Sequence, residues 1–102
     1  MKYNKLVRDK IPNIIKKDNK NPIIHIADSE EYWKKLKEKL TEEVNEFLND
    51  SNEEEIADIL EVINAICKFR KFDKNKMDYI KKQKAEERGK FDKRIILDEV
   101  KD

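Results

Sequence analysis

The sequence predicts an all-α fold, an antiparallel helical bundle with room for a short β-hairpin from residues near 23–26 and 94–97. Three observations lead there. Two long stretches carry apolar residues at helical spacing, each is preceded by a capping signal, and only two residues separate them. With one Gly and two Pro in 102 residues, the chain has few helix breakers. It also lacks the glycine-rich loops on which P-loop and dinucleotide-binding folds hold phosphate. At this length it reads as one domain spanning residues 1–102.

Taken in order, Met1–Asp9 reads as extended or loop, anchored by Leu6 and Val7. Pro12 suits the first turn of a short helix running to about Lys17, where its missing N–H would have no partner anyway. The run from Asp18 to Pro22 is a turn by composition. Ile23, Ile24, His25 and Ile26 form a β-branched run that suits a strand or an extended segment. Without Cys or His neighbours, His25 reads as a structural or surface histidine. Asp28 with Glu31 makes a capping box for a helix from about Ser29 to Leu48, and Ser51 with Glu54 repeats the signal for one from about Asn52 to Arg70. Asn49 and Asp50 would be the tight connection between them, so the pair should pack antiparallel. Asp73 can cap a third long helix from about Lys74 to Arg88, with Gly89 as its left-handed stop. The tail holds Phe91, Ile95, Ile96 and Leu97. It is too apolar to float, and either pairs with Ile23–Ile26 as a small sheet or covers a neighbouring subunit.

The charges are sorted along the chain. Between Glu42 and Glu61 there are nine Asp and Glu and no Lys or Arg, while the segments on either side each carry a surplus of five positive charges. Within the acidic block, Glu43 and Glu46 lie three residues apart, as do Glu55 and Asp58, a spacing that puts both side chains of a pair on one helix face. At about 100° per residue, Tyr32, Trp33, Leu36, Leu40, Val44, Phe47 and Leu48 fall in one arc. Glu43 lies inside that arc and Glu46 at its margin. On the following helix Glu55 falls within the apolar arc and Asp58 at its edge. Two antiparallel helices thus each turn a carboxylate toward the core. Burying ionised carboxylates is costly unless they are paired or bind metal. Either distant basic residues fold over them, or a cation sits among them. An all-oxygen set with room for water and phosphate suits Mg²⁺.

Glu42-Glu43-x-x-Glu46, eight intervening residues and Glu55-x-x-Asp58 resemble the EExxE…ExxD signature of the MazG-like all-α NTP pyrophosphatase superfamily. The flanking K-L-V-R-D-K-I-P at Lys5–Pro12 and K-A-E-E-R-G-K-F at Lys84–Phe91 resemble its small phosphoribosyl-ATP pyrophosphohydrolase-like branch, the house-cleaning nucleotide pyrophosphatases. The likeness runs over nearly the whole chain. It implies a Mg²⁺-dependent enzyme, with Mn²⁺ as a substitute, that cleaves nucleoside triphosphates between the α and β phosphates to give a monophosphate and pyrophosphate. Glu43, Glu46, Glu55 and Asp58 would hold the metal, and Glu42 would orient the attacking water or a ligand. Arg8, Lys10, Lys84 and Arg88 would contact the substrate, whose base is left open and for which phosphoribosyl-ATP is one option.

Composition narrows the alternatives. Formal net charge is +1, which argues against a dedicated nucleic-acid or anionic-membrane binder. No apolar run reaches the length of about 20 residues that crosses a bilayer, and no secretory h-region opens the chain, so a cytoplasmic location is expected. Hydrophobic content of 37% against 46% charged residues implies a lean core completed by a homodimer or homotetramer. The single Cys67 reads as a buried thiol. On the helix after Asp73 a basic stripe, Lys81, Lys84 and Arg88, continues from Met77 and Ile80. Its heads are either solvated above snorkelling stems or reach phosphate. The rival to the enzyme is a non-catalytic helical interaction module whose acidic patch meets a basic surface.

Overall fold

The computed structural model describes residues 3–102, so the first two positions of the expected extended segment, Met1 and Lys2, lie outside the described residues. From Tyr3 to Lys10 the chain has no regular structure. The fold is all-α, with α1 at Ile11–Lys17, α2 at Ser29–Asp50, α3 at Glu53–Arg70 and α4 at Lys74–Arg88. It divides into two compact units, one ending at Arg70 and one comprising Lys71–Asp102.

In the first unit α2 opens where its cap predicts. Asp28 is extended, at ψ 178°, and its side chain accepts the Glu31 N–H at 2.8 Å. The Glu31 carboxylate meets His25 Nε2 at 2.9 Å, so His25 is a surface histidine paired across six residues. The connection to α3 differs from expectation. Helix α2 runs on through Asn49 and Asp50, and Ser51, in the left-handed region at φ 49°, ends it by donating from backbone and hydroxyl to the Phe47 carbonyl. Asn52 caps α3 instead, its Oδ1 accepting the Glu55 N–H at 3.0 Å. Asn and Ser are equally good caps, and the residue free of the preceding helix takes the role. Three glutamates in the first turn of α3 and Lys68 and Arg70 in its last turn follow the helix dipole.

Helices α2 and α3 pack antiparallel, as their aromatic contacts show. Tyr32 and Trp33 at the start of α2 meet Phe69 at the end of α3, edge-on at 5.1 Å and stacked at 6.1 Å. Lys37 and Arg70 lie over the Trp33 ring at 5.0 and 4.8 Å, adding cation–π attraction to this end of the hairpin. Leu36, at 1% exposure, and Val62 are the buried apolar residues among those described. Leu48, Ile56, Leu60 and Ile63 remain exposed. Cys67, expected to be buried, is only half-buried, because the hairpin covers a single face of α3.

No strand forms among the described residues, so the β-hairpin near 23–26 and 94–97 is absent. Ile23 and Ile26 are almost fully exposed, and Ile95, Ile96 and Leu97 largely so. β-Branched residues favour a strand only where a partner and a covered face reward it. In the second unit α4 begins as its cap predicts, with Asp73 accepting from the Asn75 and Lys76 N–H groups at 2.8 and 3.3 Å. Gly89 stops it at φ 83°, ψ −179°. That is not the left-handed helical stop expected but an extended, positive-φ conformation open essentially to glycine alone.

Candidate metal centre

Antiparallel packing of α2 on α3 sets the last turns of one helix beside the first turns of the other. Glu43 and Glu46 on α2 meet Glu55 and Asp58 on α3, one carboxylate oxygen from each lying within 4.8 Å of the other three. Burial is graded across the set. Glu43 is buried at 7% exposure, Glu55 and Asp58 are half-buried, and Glu46 is exposed. On α2 this follows the arc, since Glu43 within the apolar face is deeper than Glu46 at its margin, whereas Glu55 and Asp58 on α3 are alike.

Basic residues from outside the acidic block fold over part of the cluster. Lys39, one turn before Glu43 and only 17% exposed, lies 3.4 Å from Glu43 Oε1 and 3.3 Å from Glu42 Oε2. Lys5 donates to Glu42 Oε1 at 3.0 Å, and Arg8 Nη2 to Asp58 Oδ1 at 2.8 Å. The compensation is incomplete. The second oxygens of Glu43 and Glu55, both Oε2, are buried with no hydrogen-bond partner. Buried polar atoms are nearly always satisfied, so two orphaned carboxylate oxygens in one cluster are compatible with a bound cation.

The electrostatics divide the glutamates into two kinds. Burial pushes the Glu43 carboxyl above the ordinary value, the charge of Glu46 adds to it, and Lys39 only partly opposes. Burial also raises Glu55, as do the negative charges of Asp50, Asp58 and Glu43. Burial acts upward on Glu42 too, but Lys5 and Lys39 outweigh it and hold Glu42 below the usual glutamate range. Lys5 in turn is held protonated by Glu42.

The donor set fits a hard divalent ion. Oxygens across an octahedral Mg²⁺ at about 2.0–2.1 Å lie about 4.2 Å apart. A set within 4.8 Å needs only small side-chain rotation to close on it. Ca²⁺, at about 2.3–2.6 Å, would accept it almost as it stands. A groove of about 710 Å³ beside the cluster is lined by Glu43 and Asp58, by Arg8, Lys10, Lys39 and Lys68, and by the rings of Tyr32 and Phe69. That volume is in the range of small-molecule sites.

Of the residues singled out from sequence, Glu42, Glu43, Glu46, Glu55, Asp58, Arg8 and Lys10 all lie in the first unit, and Arg8 and Lys10 line the same groove as Glu43 and Asp58. Lys84 and Arg88 are exposed positions of α4 in the second unit. Lys39 was missed. The signal was present in Lys39-x-x-Glu42-Glu43, which offers three- and four-residue spacings at once, but Lys39 stands just outside the acidic block.

No family model matches the chain, and no solved structure does. An uncharacterized protein of Mycolicibacterium smegmatis is 46% identical to it over 41 residues, covering 40% of this chain and 42% of that protein. The chain therefore spans about two-fifths of the length of the relative it matches.

Proposed function

We propose that the protein is a divalent-cation-dependent nucleoside triphosphate pyrophosphohydrolase. The observation that carries this reading is the convergence of four carboxylates from two helices, two of them with a buried, unpartnered oxygen. Their spacing, Glu42-Glu43-x-x-Glu46 and Glu55-x-x-Asp58, is similar to the MazG-like signature, which supplies the reaction class. Glu43, Glu46, Glu55 and Asp58 hold Mg²⁺ or Mn²⁺, whose charge neutralises the triphosphate and acidifies the attacking water. Glu42, whose two oxygens are held by Lys5 and Lys39, orients the attacking water or a metal ligand. Lys10 in the groove contacts phosphate, and the resemblance adds Lys84 and Arg88 as candidates for the same role. The Arg8 guanidinium is engaged by Asp58.

The test is a nucleotide panel that includes phosphoribosyl-ATP, assayed for released pyrophosphate with Mg²⁺, Mn²⁺ or Ca²⁺. Activity with Mg²⁺ or Mn²⁺ that is lost on chelation supports the reading. A panel without pyrophosphate release under any cation refutes it.

A second reading, a non-catalytic helical interaction module, is favoured by Ile56, Leu60 and Ile63. They are spaced four and three residues apart on α3 and all exposed, the pattern of a face awaiting another helix. The same stripe supports a homodimer or homotetramer in the enzymatic reading, which would complete the thin core. Sedimentation showing a stable monomer at micromolar concentration would contradict that assembly.

A further inference from the structure

The N-terminal segment is clipped to the helical hairpin at three points. Lys35 Nζ donates to the Asn4 carbonyl at 2.8 Å, Lys5 holds Glu42 at 3.0 Å, and Arg8 holds Asp58 at 2.8 Å. Two of the three end on acidic residues of the cluster or its flank. On the α2 side Lys39 takes Oε1 of Glu43 and leaves Oε2 buried without a partner. Arg8 acts on the α3 carboxylate and Lys39 on the α2 carboxylate. Arg8 occupies one oxygen of Asp58, and Lys39 bridges one oxygen of Glu43 and one of Glu42. The Arg8 pair is half exposed on both sides, and such pairs add little to stability, so fold maintenance does not explain it.

We infer that Arg8 and Lys39 are positioning residues of the carboxylate cluster, Arg8 for Asp58 and Lys39 for Glu43, each fixing one oxygen and leaving the other to a divalent cation. The inference rests on the metal reading above and adds to it the role of the Lys5–Pro12 segment, which on this account builds the centre itself. The physical reason is general. A ligating carboxylate with both oxygens loose swings between rotamers and loses ordering entropy on binding metal, whereas one pinned by an outer hydrogen bond has that order beforehand. Removing such outer partners typically weakens metal binding by about 10- to 100-fold.

The experiment measures Mn²⁺ affinity of the full chain without nucleotide, by electron paramagnetic resonance, with water-proton relaxation reporting coordinated waters. Arg8→Gln and Lys39→Met should each weaken Mn²⁺ by roughly 10- to 100-fold and raise the number of coordinated waters, since a misaimed carboxylate is replaced by solvent. Lys39→Arg should restore most of the affinity. Lys37→Met is the control, because Lys37 lies on the same helix and packs over the Trp33 ring, away from the cluster and from the N-terminal segment. It should leave affinity unchanged. Arg8 is exposed enough that Arg8→Gln keeps the fold even if Lys39→Met does not. Wild-type affinity in both Arg8→Gln and Lys39→Met would overturn the inference while leaving the metal reading intact. So would tighter binding by Arg8→Gln, which would make Arg8 a competitor for Asp58, or equal weakening by Lys37→Met. A wild-type chain that binds no Mn²⁺ would overturn both readings.

Discussion

Arg8 donates from Nη2 to Oδ1 of Asp58 at 2.8 Å across fifty positions of sequence. This contact makes the irregular N-terminal segment part of the wall around the acidic cluster. The bond is charge-assisted, and an Arg fork holds a carboxylate with more directional precision than a Lys does. The exposed setting still limits its contribution to folding to about 0–1 kcal/mol. The effects of the cluster on stability should therefore come from its own repulsion, which is where the first prediction lies.

Glu43 and Glu55 have folded-state pKa values above 4.5, the ordinary value, whereas Glu42 lies below it. Through the window just above 4.5 the native state binds more protons at Glu43 and Glu55 than the unfolded chain does, so their effect on stability worsens as pH rises. Glu42 acts oppositely, because its stabilisation is complete above 4.5 and is lost as pH falls through its depressed folded value. In chelator, urea melts should therefore show stability declining as pH is raised through the window just above 4.5. Glu43→Gln should flatten that decline. An identical pH slope in wild type and Glu43→Gln would show that Glu43 ionises as freely when folded as when unfolded.

Leu36→Ala tests where the core lies. Leu36 is 1% exposed between α2 and α3, so the substitution removes buried methylenes and leaves a cavity, at a cost of about 2–5 kcal/mol. Against a typical total of about 5–15 kcal/mol, that is enough to shift or abolish the urea transition. Ile23→Ala, at a residue 94% exposed, should stay within about 0.5 kcal/mol of wild type. Similar losses in the two variants would mean that Ile23 is covered in solution and that assembly carries much of the stability.

Much of this arrangement was legible because it is local. Caps at Asp28 and Asp73 and helical periodicity report on neighbours within one turn, and the depth of Glu43 followed from the same arc. The misses have a common cause. Whether Ile23–Ile26 forms a strand depends on a partner, and whether Ser51 caps α3 or closes α2 depends on how far the preceding helix runs. Neither is encoded within a few residues. The basic partners of the cluster were half legible. Lys39 was readable from its spacing to Glu42 and Glu43, whereas the reach of Lys5 and Arg8 across 37 and 50 positions is a tertiary fact.

Glu55→Gln separates stability from function. Its Oε2 is buried without a partner, and Asp50, Asp58 and Glu43 all disfavour its charge. Neutralising it in chelator should leave stability unchanged or raise it, as read by thermal melting. The stabilisation that Mn²⁺ gives wild type, which grows with the ratio of free metal to Kd, should shrink, and pyrophosphate release should be lost. Retention of near wild-type turnover would remove Glu55 from the ligand set.

The last prediction concerns Lys84 and Arg88, both exposed on α4. If they contact the triphosphate, the contacts are charge-assisted, and losing one costs about 1.5–3 kcal/mol, equivalent to roughly a tenfold to hundredfold fall in kcat/KM. If their stems lie along the helix with solvated heads, the same substitutions change stability by no more than about 0.5 kcal/mol and barely touch kinetics. Arg88→Lys keeps the charge and removes the planar fork, so it distinguishes bidentate phosphate recognition from simple attraction. Both Arg88→Lys and Lys84→Ala should lower kcat/KM at least tenfold with Tm nearly unchanged. Higher salt should narrow the gap for Lys84→Ala more than for Arg88→Lys, because screening weakens a point charge more than a fixed hydrogen-bond geometry. Unchanged kinetics in both variants would leave substrate binding to the metal centre and to Lys10.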